Sequence, residues 1–423
     1  MTEQQRNWAG NYTYSAARWH YPTTVEQVQE LVSQGDQLRV LGSRHSFNSI
    51  ADTPEDIIAL EKFNQIEPVD TERNTVTIGG GVRYGELCRQ LDHAGYALHN
   101  LASLPHISVA GACATATHGS GDKNGNLATI ISEMELVTAD GSVVVLSRDQ
   151  HGEQFQGAVV GLGGLGVITK LTLDVIPAFT VRQNVYEDLP LTQLVDNFDA
   201  ITSSAYSVSL FTDWRDSTIN QIWQKRLVED GEPFEPEPEL FGAVPAPTHR
   251  HPIREVSPVN CTEQMGVPGP WYDRLPHFRL EFTPSNGEEL QSEYLIPRRH
   301  AVAAIQAIDR WGDQIAPLLF ISEIRTIAAD NLWLSPCYQQ DCIAIHFTWK
   351  QNWPAVRQLL PLIEEQLAPF EARPHWGKLF TMPATRMPSL YEKLPDFQQL
   401  LQTYDPQGKF RNAFLNTYIF GMS

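Results

Sequence analysis

Gly161-Leu162-Gly163-Gly164-Leu165-Gly166 is followed by V-I-T-K-L-T-L-D-V-I, Val167 to Ile176. The glycines match G-x-G-x-x-G letter for letter. A dinucleotide fingerprint also needs a buried strand before the glycines and a helix after them, so that a pyrophosphate meets the helix N-terminus. Here Glu153 to Val160 shows no clear buried-strand pattern, and the segment after the glycines alternates apolar and polar residues as a strand does. That context argues against a dinucleotide-binding loop. Glycine still suits close backbone approach to a cofactor group.

Outward from this run, the apolar spacing of V-E-Q-V-Q-E-L-V predicts a helix over Val25 to Val32, with a short buried strand at Leu38 to Leu41. A strand at Thr75 to Ile78 runs into Gly79-Gly80-Gly81, and Tyr84 to Ala94 reads as a helix. Thr129 to Leu146 reads as a strand hairpin turning at Asp140-Gly141. Strands and helices thus mix without a regular βαβ rhythm, which predicts the α+β class. Beyond Pro177 come a strand at Tyr206 to Trp214 and a helix at Arg299 to Trp311. An acidic, proline-rich excursion runs from Glu229 to Leu240. A chain of 423 residues exceeds the size at which one core stops growing, so two interlocked domains are expected.

The balance of 31 Lys+Arg against 50 Asp+Glu gives a net charge of −19, a surface that repels nucleic acid and anionic lipid. No stretch approaches the roughly 20 apolar residues of a membrane helix, and Met1 to Trp8 lacks the features of a secretory leader. A cytoplasmic protein is expected. The five cysteines include no C-x-x-C pair, and no His or Cys spacing marks a metal site, so reduced thiols and no metal are expected.

Five segments carry candidate chemistry. Val40 to Asn48, V-L-G-S-R-H-S-F-N, is a short strand entering a small polar loop, where Gly42 and Ser43 offer backbone N–H groups to an anion and His45 is either a functional or a surface imidazole. Ser103 to Gly121 is dominated by small residues from Val109 onward, which fits backbone lying against a large flat ligand or a tightly packed small-residue helix. Leu318 to Thr326 places Glu323 and Arg325 on one face of an apolar strand, and Ile343 to Trp349 does the same for His346 and Thr348. Pro374 to Lys378 adds His375 and an amine. Charges on apolar elements need partners, so these residues form either a structural ion pair or a site.

Taken together, these segments resemble the vanillyl-alcohol-oxidase-type (PCMH-type) FAD oxidoreductases, and within them the bacterial alditol (xylitol) oxidases. The resemblance runs from N-W-A-G-N at Asn7 to D-P-Q-G-K-F-R-N ending at Asn412. Between them lie L-G-S-R-H-S-F-N (Leu41 to Asn48), S-L-P-H-I-S-V-A-G (Ser103 to Gly111), T-H-G-S-G (Thr117 to Gly121), E-I-R-T-I-A-A-D (Glu323 to Asp330) and A-R-P-H-W-G-K (Ala372 to Lys378). It implies an FAD domain over 1–180, a substrate domain over 181–380 and a C-terminal segment, 381–423, returning to the FAD domain.

The resemblance further implies FAD bound covalently through an 8α-histidyl bond to His45. Cofactor contacts are expected from Leu41, Gly42, Ser43, Arg44, His45 and Ser46 on one loop, and from Ser103, Ser108, Gly111, Ala112, Cys113 and Ala114. Thr117, His118, Gly119, Val167 and His375 complete that set. Substrate contacts are expected from Ser103, Glu323, Arg325, Thr348 and Lys378, with Lys378, Arg325 and Glu323 catalytic. Arg44 departs from the glycine common in relatives, which alters the loop's φ range or supplies a phosphate charge. The implied activity is oxidation of a polyol's terminal hydroxyl to an aldehyde, with oxygen reduced to hydrogen peroxide by a monomeric enzyme. An aldonolactone oxidase or dehydrogenase and a non-catalytic carbohydrate-binding protein are the alternatives.

Overall fold

The computed structural model describes residues 5–229, 237–282 and 289–422. Most of the proline-rich excursion at Glu229 to Leu240 lies outside them. In the glycine run, a helix, Arg148–Val159, precedes the glycines and a strand, Val167–Asp174, follows them. This is the reverse of a dinucleotide fingerprint. What the run wraps is Arg39, a buried guanidinium whose Nη atoms donate to the carbonyls of Gly163 (2.9 Å), Leu162 (2.7 Å), Phe410 (2.7 Å) and Ile50. One cation thereby ties the glycines, the C-terminal segment and the loop after His45 together.

β1 (Arg18–His20), β2 (Leu38–Leu41) and β3 (Asp56–Ala59) form a parallel sheet in the order β1-β3-β2. The helix Val25–Gln34 connects the first two, opened by Thr24, whose side chain accepts from Gln27 N–H, and anchored by buried Val28 and Val32. β4 (Thr75–Gly79), β5 (Ile131–Val137), β6 (Val143–Ser147) and β7 (Val167–Asp174) form an antiparallel sheet in the order β4-β7-β5-β6. The hairpin closes through Thr138 to Ser142, with Gly141 at φ 83 and Asp140 Oδ1 accepting from Ser142 N–H.

The second half builds a nine-stranded sheet from β8 (Thr180–Pro190), β9 (Ser207–Thr212), β10 (Thr218–Leu227), β11 (Glu289–Pro297), β12 (Leu319–Ile327), β13 (Cys342–Lys350) and three two-residue strands. The long strands run β8-β10-β9-β12-β13-β11, all antiparallel. The expected helix at Arg299 to Trp311 is Ala301–Asp309, entered by a short 3-10 turn.

Strand alternation decides which face carries function. Leu210, Ile324, Ile345, Phe347 and Tyr294 belong to one core with residues of the helices Leu191–Thr202, Ala301–Asp309 and Trp353–Leu367. The opposite face turns Phe211, Glu323, His346 and Glu293 toward the first half, in direct register across four neighbouring strands.

A separate core joins Ile78, Leu136 and Leu171 to Leu401 and Leu415 of the C-terminal helices, so the chain's end packs beside its beginning. Packing also crosses the halves the other way: Ala9 and Phe47 join the core under the large sheet. Among the described residues no helix is long and apolar enough to cross a membrane.

Candidate active site

A cavity of about 620 Å³ lies between the large sheet and the first half of the chain. Its walls hold the His45 loop, the small-residue run, the glycine run and the polar face of the sheet. Leu41, Gly42, Ser43, Arg44, His45 and Ser46 all line it, as do Ser103, Ser108, Gly111, Ala112, Ala114, Thr117 and His118. So do Glu323, Arg325, Thr348, His375 and Lys378. Residues read from five separate segments therefore meet in one chamber.

Three expected cofactor residues do not line it. Cys113 is on the far side of the helix Val109–Ala114, its Sγ 3.7 Å from Tyr84 Oη and from Leu127 O. Val167 packs with Val28 and Leu38 in a separate core; its neighbours Gly166 and Ile168 line the cavity, as a period of two requires. Gly119 backs onto residues 100–101, where an added Cβ would fall 2.5 Å from Leu101 O.

Two expectations about the His45 loop meet different outcomes. Ser43 N–H is not open to an anion: it donates to Ser108 Oγ at 3.3 Å, while Ser108 N–H donates to Ser43 Oγ at 2.9 Å. Gly42 permits this pairing, since a Cβ there would lie 2.3 Å from Ser108 Oγ. Arg44 holds a left-handed φ of 62, and its guanidinium turns away to Gln5 Oε1 (2.6 Å) and over the Trp19 ring. It therefore takes up a strained left-handed backbone, the first of the two consequences expected of it, while its charge is held at Gln5 and Trp19.

His45 itself has the environment of a reacting group. Its ring stacks on Trp8 at 5.1 Å, and Nδ1 contacts Ser43 O at 2.9 Å. Nε2 is buried with no hydrogen-bond partner. Burial pulls its pKa down to about 4, so the imidazole is neutral, with a lone pair, near pH 7.

The loop His375 to Lys378 is stitched to the His45 loop. Phe47 N–H donates to Gly377 O at 2.8 Å, and Asn48 Nδ2 donates to Trp376 O (2.9 Å) and Lys378 O (2.7 Å). His375 N–H donates to Glu293 O at 3.0 Å, fixing the loop to the sheet edge. Lys378 and His45 thus belong to one rigid framework.

At the centre is a residue the sequence reading missed. Glu293 receives Lys378 Nζ at 2.8 Å and Arg325 Nη2 at 3.2 Å, and His118 Nε2 stands 3.4 Å away. Burial alone would raise its pKa, but Lys378 and His118 outweigh that and hold the carboxylate well below its usual range. The signal was the alternation E-L-Q-S-E on β11, which puts Glu289, Gln291 and Glu293 on the cavity face. Burial lowers Lys378, opposed by Glu293 and assisted by Arg325. Burial likewise drops His375 to about 3, and His346 well below its usual value, so both rings are neutral.

The residues fit a flavin. The cavity is mostly apolar, framed by small residues, and is lined both by a neutral imidazole whose Nε2 has no partner and by a cluster of opposite charges on its sheet face. The family described as FAD binding domain matches residues 16–147, and that described as D-arabinono-1,4-lactone oxidase matches residues 285–418. An alditol oxidase of a Streptomyces species is 48% identical over the full length of both chains. L-gulonolactone oxidase of Bos taurus is 27% identical over 98% of each chain, and L-gulono-1,4-lactone dehydrogenase of Mycobacterium tuberculosis 28% identical over 97% of each. Among solved structures, a cholesterol oxidase of Brevibacterium sterolicum superposes with a TM-score of 0.76 at 15% identity, covering 98% of this chain and 96% of its own. Full-length identity of 48% places the chain in the alditol oxidase family of FAD-dependent oxidoreductases.

Proposed function

We propose that the protein is an alditol oxidase that converts the terminal hydroxyl of polyols such as xylitol and sorbitol to an aldehyde, forming hydrogen peroxide from oxygen, with FAD joined covalently to His45. We also propose that it works as a monomer in the cytoplasm, with residues 1–180 and 381–423 holding the cofactor and 181–380 the substrate. The observation that carries the reading is the buried Arg325–Glu293–Lys378 cluster facing the same cavity as His45. When bound, FAD supplies the acceptor for the hydride leaving the alcohol carbon and passes the electrons to oxygen.

The chain's own residues do the rest. Arg325 lowers the pKa of the bound hydroxyl and stabilises alkoxide charge as it develops, joined by Lys378 once that amine has taken up a proton. Lys378 rests paired with Glu293, and its neutral form, which burial and Arg325 favour and Glu293 restrains, is the one that takes the hydroxyl proton. Glu293 keeps the two cations together, and Glu323, Ser103 and Thr348 bind further hydroxyls, which rejects substrates that lack them. His375, neutral and buried beside Thr117, shapes the cavity at the cofactor's side.

Arg325 donates through Nη2 to Glu293 and through Nη1 to Ser103 Oγ (3.4 Å) and His118 O (3.5 Å). Arg325→Lys cannot reproduce that fork and should lower kcat/KM by about tenfold or more. Wild-type kcat/KM in steady-state assays would reduce Arg325 to a counter-charge.

The match to D-arabinono-1,4-lactone oxidases over residues 285–418 supports a second reading, an aldonolactone oxidase. A peroxide assay across xylitol, sorbitol, glycerol and galactono-lactone separates the two. Turnover of polyols is the expected result, and turnover of the lactone alone overturns the alditol reading.

A further inference from the structure

Glu323 is less well held than its place beside Arg325 implies. The two side chains share a strand face, yet Arg325 Nε stands 3.4 Å from Glu323 Oε1 and makes no hydrogen bond. The hydrogen bond Glu323 does receive comes from His277 Nε2, at 2.7 Å. His277 is buried on the loop before residue 279, its ring at right-angled packing distance from Phe211 (5.4 Å) and Trp223 (5.2 Å).

Behind His277 is Lys225 of β10, a fully buried amine. Its Nζ reaches Leu275 O, Pro276 O (3.2 Å) and His277 Nδ1 (3.1 Å). An ammonium has three donors and no acceptor, and three acceptors surround this one. Donation to Nδ1 forces the His277 proton onto Nε2, the nitrogen that faces Glu323. Burial pulls Lys225 down to about 7, opposed by Glu323, and the three acceptors favour the charged form. The same loop fixes Ser103, whose carbonyl accepts from His277 N–H (3.1 Å) and Phe278 N–H (3.3 Å).

We propose that Lys225 and His277 are positioning residues that set the tautomer and direction of the hydrogen bond holding Glu323, and so govern how the enzyme grips substrate hydroxyls remote from the reacting carbon. The inference rests on the proposed role of Glu323 in polyol binding. Neither residue touches the reacting atoms; both act through Glu323.

Anaerobic rapid mixing of holoenzyme with xylitol separates grip from chemistry, because the bleaching rate saturates with an apparent Kd and reaches a limiting rate. His277→Phe keeps a ring between Phe211 and Trp223 but loses the donor. It should raise Kd about tenfold or more and leave the limiting rate within about threefold. His277→Gln restores a donor near the Nε2 position and should stay within about threefold of wild type on both measures. Lys225→Met should raise Kd in the same direction. A wild-type Kd in His277→Phe, or equal damage from Gln and Phe, overturns the proposal.

The tautomer is read without substrate by 15N NMR of histidine-labelled holoprotein, with His277 assigned by its loss in His277→Gln. A proton on Nε2 in the wild type, shifted in Lys225→Met, is the expected result; a proton on Nδ1 overturns the relay. Failure of xylitol to bleach the wild type strikes the polyol reading, and the NMR result still decides the relay.

Discussion

Replacing Lys378 by Met lowers kcat by roughly 100-fold or more and leaves FAD content unchanged. The magnitude follows from removing the proton acceptor and, with it, the cation it becomes beside the developing alkoxide, a loss of about 3 kcal/mol. Met preserves the length and most of the volume of the side chain, so the loop stitched to Phe47 and Asn48 should keep its backbone bonds. Glu293 would still face Arg325 and His118. Steady-state kinetics with the flavin-to-protein absorbance ratio check the outcome. Near-normal kcat would show that Lys378 only balances Glu293 and takes no part in moving the proton.

His45→Ala should release all flavin from the acid-precipitated protein, whereas wild-type protein keeps its yellow colour in the pellet. The loss is complete because the bond needs a ring nitrogen with a free lone pair, and His45 offers one that is neutral above about pH 4 and has no partner at Nε2. Noncovalent binding should survive in part, since the small-residue run and the rest of the cavity are untouched. Digestion of the wild type should give one flavin-bearing peptide containing His45. A modified peptide containing His106 or His118 instead would refute the assignment, as would wild-type flavin washing into the supernatant.

The elements that could be read from the sequence were those whose signal is local. Val167 to Asp174 alternates cleanly, so the strand after the glycines, and with it the rejection of a dinucleotide fold, followed from spacing alone. Glu323 and Arg325 two residues apart on an apolar strand gave the sheet face of the site for the same reason. Direction was harder to read. Which side of a short helix Cys113 occupies, or that Arg44 swings back to Gln5, depends on packing by segments distant in the chain.

Partnership was hardest. Glu293 alternates correctly on β11, but its importance comes from Lys378 and Arg325, which reach it from a loop and from a strand on the far side of β13. Lys225 and His277 sit 52 positions apart and are joined to Glu323 only by the fold. No spacing rule marks such a chain. What the alternation does show is that a charged residue shares a strand with apolar neighbours on the other face, and such a charge, once buried, requires a partner.

The claim that this cavity oxidises polyols on bound FAD is tested most directly by the visible spectrum of the purified protein under anaerobic conditions. Addition of xylitol should bleach the flavin absorbance, and admitting air should restore it with formation of hydrogen peroxide. A spectrum unchanged by xylitol but bleached by galactono-lactone, or unchanged by either, would contradict the account.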